Sequence, residues 1–497
     1  MIVGKNNKRK EKYNRDKLVN SIEKTMLKSY GKVSQYNVNE IVSSIELIFK
    51  KSDKIIHTSQ IREVVEDMLK DMGLDKAYKL YSEFKTRYNE TYNIFMDNED
   101  ILKLIPEGDN LQGLLSRITM FDVELAHMIN NKEVIFDKNL LKRMGLHTND
   151  MFSSEMPVQP SNDILSVHEC LGIQILGAYY NKASTVDLRG TFFDNHKFLA
   201  PMDKLSENYD VPLGLTLNSI DELKYNPTSL RIYVPYVHDV DSISEYVNKV
   251  KAGYNFTMLH DDALSTGWCP NVSVVSPHGN QPIPYGHGSL NAMINVKEMV
   301  HNKVFNKERF KEVIEKTMYA LTSNVRDYEY RIVAISFAGM LEVLPILEIE
   351  YGSLEHFNFI RDTLGYAGRV VREYSYNERG TYLHLLELNR YFNESYLKLS
   401  DVEKKKFDDK GLHHAQFFTQ WHDDDLSEYL GVSSRLIDDR ADVYLNIKLL
   451  STYQNYYDGG IDEYVIIPDY FNDTEIATVY YMGYDLNLKT FTMKKSS

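Results

Sequence analysis

Apolar residues near the start of the chain recur at helical spacing. Leu18, Ile22, Met26 and Leu27 follow a helix start at Asn14-Arg15-Asp16-Lys17, and residues three or four apart share a helix face. A second helix is expected over 38–49. The third begins at Thr58-Ser59, whose hydroxyls suit an N-cap, and carries Ile61, Val64, Val65 and Leu69 on one side. Gly73 ends it, and a fourth runs from Lys76 to about Glu90 with Ala77, Leu80, Tyr81 and Phe84 as its apolar stripe. A short strand and a basic turn precede these helices. Beyond about residue 95 the pattern changes, with β-branched runs at 229–234, 272–275 and 331–335 set between helical stretches and no low-complexity linker. That mixture predicts one α/β domain of about 400 residues. The expected boundaries are 1–92 and 93–497.

Composition narrows the classes. The chain has 497 residues and no apolar run near the ~20 that a membrane span needs, and no signal peptide pattern follows Met1. A soluble, cytoplasmic protein without a membrane partner is expected. The net charge of -14 argues against a nucleic-acid partner, although the stretch 5–12 is locally basic. Cys170 and Cys269 are the two cysteines, too few for a disulfide framework, so any thiol chemistry must use them. Phosphate-loop and dinucleotide glycine fingerprints are absent, which excludes the common kinase and dehydrogenase patterns. His278, His287, His413, His414 and His422 lack metal-ligand spacing, so no metal is expected. Asp423, Asp424 and Asp425 read instead as an acidic helix start.

Ordered motifs then carry a resemblance. Val3-Gly4-Lys5, Tyr13-Asn14-Arg15-Asp16-Lys17-Leu18, Thr58-Ser59-Gln60-Ile61 and the stretch 77–85 resemble the ATP-cone, the mainly helical nucleotide-binding module that opens many ribonucleotide reductases. The resemblance implies that Lys5, Lys17, Thr58 and Arg62 face an adenine nucleotide, ATP or dATP acting as allosteric effector. Lys8 stands where the family usually has glycine.

A second set resembles the catalytic barrel of the same enzymes. Gly253-Tyr254-Asn255-Phe256-Thr257-Met258 precedes Cys269, Gly288-Ser289-Leu290-Asn291-Ala292-Met293-Ile294-Asn295 resembles the strand that follows, and 310–321 the next helix. The run Ile335-Ser336-Phe337-Ala338-Gly339 and the closing Tyr484-Asp485-Leu486-Asn487-Leu488-Lys489-Thr490-Phe491 continue the match in order. The fold implied is α/β, a ten-stranded barrel of the ribonucleotide reductase type behind an ATP-cone. Ribonucleotides would be reduced to deoxyribonucleotides by a thiyl radical on Cys269, with Cys170 as the one possible redox partner. Ser289, Asn291 and a loop containing Ser451 and Thr452 would bind substrate, and a homodimer is implied.

Several positions depart from the family. Asn271 stands where the family has a carboxylate that helps deprotonate the 3′ hydroxyl, and an amide cannot act as that base. Gly267 replaces an asparagine, Tyr285 or Gly286 the second cysteine, and Thr492-Met493 the tyrosine pair that admits the radical in class I enzymes. Radical source and reductant are therefore external, adenosylcobalamin or a separate radical-generating subunit for the first. The glycyl-radical class fits less well, because its C-terminal Cys-Gly-Tyr motif is absent. Two readings remain: a divergent reductase large subunit, or a catalytically degenerate paralogue that binds nucleotides as a regulatory or assembly protein.

Overall fold

The structure is a computed structural model that describes residues 2–4, 10–30, 32–49, 56–96, 98, 100–101, 119, 122–136, 184–189, 196–209, 212–260, 268–269, 272–276, 281–284, 287, 289–325, 329–378, 380–387 and 394–496. The chain divides into two compact units, Met1–Ile94 with Phe121–Val123, and Phe95–Met120 with Glu124–Ser497. None of the described helices is long and apolar enough to cross a membrane.

In the first unit, β1 (Ile2–Gly4) pairs antiparallel with β2 (Lys10–Lys12) and parallel with β3 (Ile56–His57). Four helices follow the expected pattern: α1 (Arg15–Tyr30), α2 (Gln35–Phe49), α3 (Thr58–Asp71) and α4 (Asp75–Met96). Their core joins Leu18, Ile22 and Met26 to Val38, Ile41 and Ile45, with Ile61, Val65 and Leu69 from α3. Leu27 departs from the expected stripe and is 53% exposed, because a residue next to Met26 points about 100° away around the helix. The α3 cap also differs. His57 is the N-cap, and its N–H donates to Gln60 Oε1 at 2.9 Å. Gly73, at φ +66°, takes the left-handed turn that lets the chain leave α3.

The second unit is built on strands β4 (Val134–Phe136), β5 (Ser184–Asp187), β6 (Leu213–Thr216), β7 (Arg231–Pro235), β8 (Thr257–Leu259), β9 (Val272–Val275), β10 (Pro282–Pro284), β11 (Leu290–Asn295), β12 (Val300–His301), β13 (Val304–Phe305), β14 (Val333–Ala338), β15 (Tyr464–Ile467) and β16 (Thr490–Lys495). A six-stranded sheet has the order β15-β16-β8-β7-β6-β5, and a three-stranded sheet the order β14-β11-β4. Segment 416–420 bridges them: Phe418 pairs parallel with Ile335 of β14, and Gln420 pairs parallel with Ile461, just ahead of β15. Three strands, six strands and this bridge make one run of ten. Within it β11, β14, segment 416–420, β15 and β16 are mutually parallel, whereas β8, β7, β6 and β5 run the opposite way, as does β4 beside β11. Among the described residues no pairing joins β4 to β5, and no closed barrel is seen among them.

Helices cover this run and are started by their own caps. Asn306 accepts from Arg309 N–H at 3.0 Å to open the helix Lys307–Asn324, and Asn472 accepts from Glu475 N–H to open Asp473–Asp485. Asp423 accepts from Leu426 N–H at 3.0 Å, which makes the acidic triplet the expected helix start. β11 and β14 are buried at every position, as central parallel strands are. Asp203, on the helix His196–Tyr209, accepts from the N–H groups of Thr228, Ser229 and Leu230. Burial alone would raise its pKa, but these donors outweigh it and hold the carboxyl below its ordinary value.

One buried histidine makes stability pH-dependent. His356 is fully buried, accepts from Gly352 N–H through Nδ1 at 3.1 Å, and burial drives its pKa down to about 4. Between the ordinary value near 6.5 and about 4 the unfolded chain binds a proton that the fold refuses, so stability falls as pH falls across that window, by at most about 3 kcal/mol. His356→Gln, which does not titrate, should lose less stability than the wild type between pH 7 and pH 4.5. Equal losses in urea titrations at both pH values would show that His356 protonates in the fold.

Candidate functional site

The resemblance placed four residues at the nucleotide in the first unit. Lys5 lies outside the described residues, and so do the side chains of Lys17 and Thr58; Arg62 is described in full. The backbone still constrains them. Gly4, which precedes Lys5, is in register with His57, which precedes Thr58. Thr58 is the first residue of α3, at the end where backbone N–H groups lack helical partners and favour anions. Thr58, Arg62 and Glu66 follow at spacing four, so they share one face of α3. On α1, Lys17 and Ser21 are one turn apart in the same way.

Contacts join these faces. Arg62 donates through Nε to Glu66 Oε1 at 2.5 Å, and through Nη2 to the carbonyls of Tyr81 at 2.6 Å and Ser82 at 2.9 Å on α4. Its guanidinium lies 5.6 Å from the centre of the Tyr81 ring. Burial raises the Tyr81 phenol above its ordinary pKa, and Arg62 and a hydrogen bond from Ser21 offset part of that rise. The chain Ser21, Tyr81, Arg62 therefore connects α1, α4 and α3. Glu66, Tyr81 and Ser21 were not singled out in the sequence. For Glu66 the four-residue step from Arg62 was a readable signal.

In the second unit Cys269 is buried, at 3% exposure. The carbonyl of its neighbour Trp268 accepts from the Tyr382 hydroxyl, and the Trp268 ring packs on Phe407. Cys269 stands between β8 and β11, where the chain changes from one strand direction in the run to the other. Asn271 and Cys170 lie outside the described residues, as do Gly267, Tyr285 and Gly286.

Ser289 and Asn291 are fully buried at the start of β11, two residues apart and so on one face of the strand. Ser289 Oγ donates to Asn291 Oδ1 at 2.7 Å, while Asn291 Nδ2 has no hydrogen-bond partner among the described residues. Asn295, further along the same strand, is satisfied by the carbonyls of Lys132 and Leu430 and by Lys297 N–H. The contrast leaves Asn291 Nδ2 a buried donor without a partner among the described residues.

Ser451 and Thr452 are placed otherwise than expected. They lie in the last turn of the helix Val443–Gln454, not in a loop. Ser451 donates to the Leu486 carbonyl and Thr452 to the Lys448 carbonyl, both at 3.1 Å. A helix C-terminus presents carbonyl oxygens and partial negative charge, which disfavours phosphate. Thr492 and Met493 lie on β16, and Thr492 Oγ1 and Thr257 Oγ1 form a hydrogen bond of 2.8 Å across β16 and β8.

No curated protein matches the chain. Residues 1–90 match the family of the ATP cone domain, so the unit that brings Thr58, Arg62 and the Lys17 face of α1 together resembles a nucleotide-binding regulatory module.

Proposed function

We propose that the chain is a ribonucleotide reductase large-subunit-like protein whose first unit senses ATP or dATP and whose second unit reduces ribonucleotides. The observation that carries the reading is Cys269, buried in the stretch of chain that follows β8 in a protein whose described strands make a ten-strand run of two oppositely directed sets. Ten strands are what the resemblance requires of the barrel, and the loop after β8 is where its radical cysteine would stand. The ATP cone match at 1–90 supports the regulatory half.

In this reading a thiyl radical on Cys269 takes the 3′ hydrogen of the ribose. Burial suits that task, because it keeps the thiyl from dissolved oxygen and from thiols in solution. Asn291 Nδ2, buried beside Ser289, would hold the substrate by a donated hydrogen bond. Lys5, Lys17, Thr58 and Arg62 would hold the effector's phosphates. The radical comes from outside the chain, through adenosylcobalamin or a separate subunit. The test is formation of deoxyribonucleotide from each ribonucleotide with a chemical reductant, with and without ATP. Product that depends on Cys269 upholds the reading.

A second reading has its own support. Asn271 replaces a base, and Thr492-Met493 stands where the resemblance calls for a radical-carrying tyrosine pair. A degenerate paralogue would bind ATP and turn over no ribonucleotide with any radical source.

A further inference from the structure

We propose that Glu66 is a built-in competitor for the nucleotide's phosphates, which holds Arg62 against α4 until a triphosphate takes the guanidinium from it. The inference rests on the nucleotide reading of the same unit and adds how the site is regulated. Arg62 is fully committed on two edges: Nε meets Glu66 at 2.5 Å, and Nη2 meets the carbonyls of Tyr81 and Ser82. Nη1 has no hydrogen bond among the described residues. That edge offers an arriving anion its first contact.

Opening the clamp costs little on the α4 side. Tyr81 and Ser82 lie inside the helix Asp75–Met96, more than a turn from its end, so their carbonyls already accept from helical N–H groups. Arg62 adds a second donor to each and leaves no orphan when it departs. Glu66 is 23% exposed, so its carboxylate returns to water rather than to a dry interior. A guanidinium pairs with phosphate by the same forked geometry that it uses for carboxylate. The triphosphate carries more charge than Glu66 and outcompetes it. Because Thr58 heads the same face one turn before Arg62, the anion-favouring end of α3 and the released guanidinium would act on the same ligand.

A merely structural ion pair predicts that removing Glu66 loosens the unit and leaves nucleotide affinity unchanged or weaker. A competitor predicts the opposite sign. The experiment is calorimetric titration of the full chain with ATP, comparing wild type, Glu66→Gln, Glu66→Asp, Arg62→Ala and the Arg62→Ala/Glu66→Gln double variant, with helical content checked by circular dichroism. Glu66→Gln should bind ATP about fivefold more tightly, the size expected for releasing one part-exposed ion pair. Glu66→Asp, one methylene shorter, should move the same way should Glu66→Gln fail to fold. The gain should vanish in the Arg62→Ala background. Affinity equal to or weaker than wild type, or a gain that persists without Arg62, overturns the competitor while leaving nucleotide binding intact; absence of ATP binding by the wild type instead overturns the nucleotide reading on which it rests.

Discussion

Cys269→Ala should abolish deoxyribonucleotide formation, lowering turnover by a factor on the order of 10⁴ or more, because residues that act as one chemical unit do not substitute for one another. Alanine has no atom that can carry the radical. The fold should survive: Cys269 is 3% exposed and behaves as a small buried hydrophobe, so its removal costs only about 1 kcal/mol. ATP binding should be unchanged, since the ATP cone match ends at residue 90. Turnover that persists in the variant would place the chemistry elsewhere. No turnover in the wild type with either class of radical source would favour the degenerate paralogue.

Glu133→Ala should destabilise the second unit by about 2–3 kcal/mol, a large share of ordinary domain stability. Arg309 donates to both Glu133 oxygens, at 2.8 and 2.6 Å, and so ties the helix Lys307–Asn324 to the residue preceding β4. Glu133 is 7% exposed, and its own carbonyl accepts from Asn295 N–H at the end of β11. Losing the carboxylate leaves Arg309 with Glu312 as its remaining partner, at 2.6 Å, which limits the damage below that of a wholly stranded charge. Both tryptophans, Trp268 and Trp421, lie in the second unit, so their fluorescence in a urea titration reports its unfolding. A midpoint within experimental error of wild type would show that the pair is mere surface decoration.

Sequence periodicity carried the first unit well, because its four short helices bury single stripes. Its errors came from neighbours of those stripes. Leu27 is apolar yet points away from the core, and His57 rather than a hydroxyl residue caps α3. In the second unit the run at 272–275 was legible because three of its four residues are valines, while the strand at β11 was expected from the resemblance. Segment 416–420 was not, since its glutamines break the apolar run and it pairs through single bridges.

Ser451 and Thr452 misled by residue type. Hydroxyl pairs are common at loops and caps, but Leu449, Leu450 and Tyr453 around them are buried and keep the turn helical. The spacing of Leu449 to Tyr453 already said as much. Cys269 was singled out as a candidate from motif order alone, whereas the contacts of Arg62 with the Tyr81 and Ser82 carbonyls needed the packing of α3 on α4, which no local pattern encodes.

The most direct test of the central claim is calorimetric titration of the full chain with ATP and dATP, beside Lys17→Ala. Saturable binding that is lost or weakened at least tenfold in the variant is the predicted result, as expected for removing a charge-assisted phosphate contact. No binding of either nucleotide by the wild type would contradict the account.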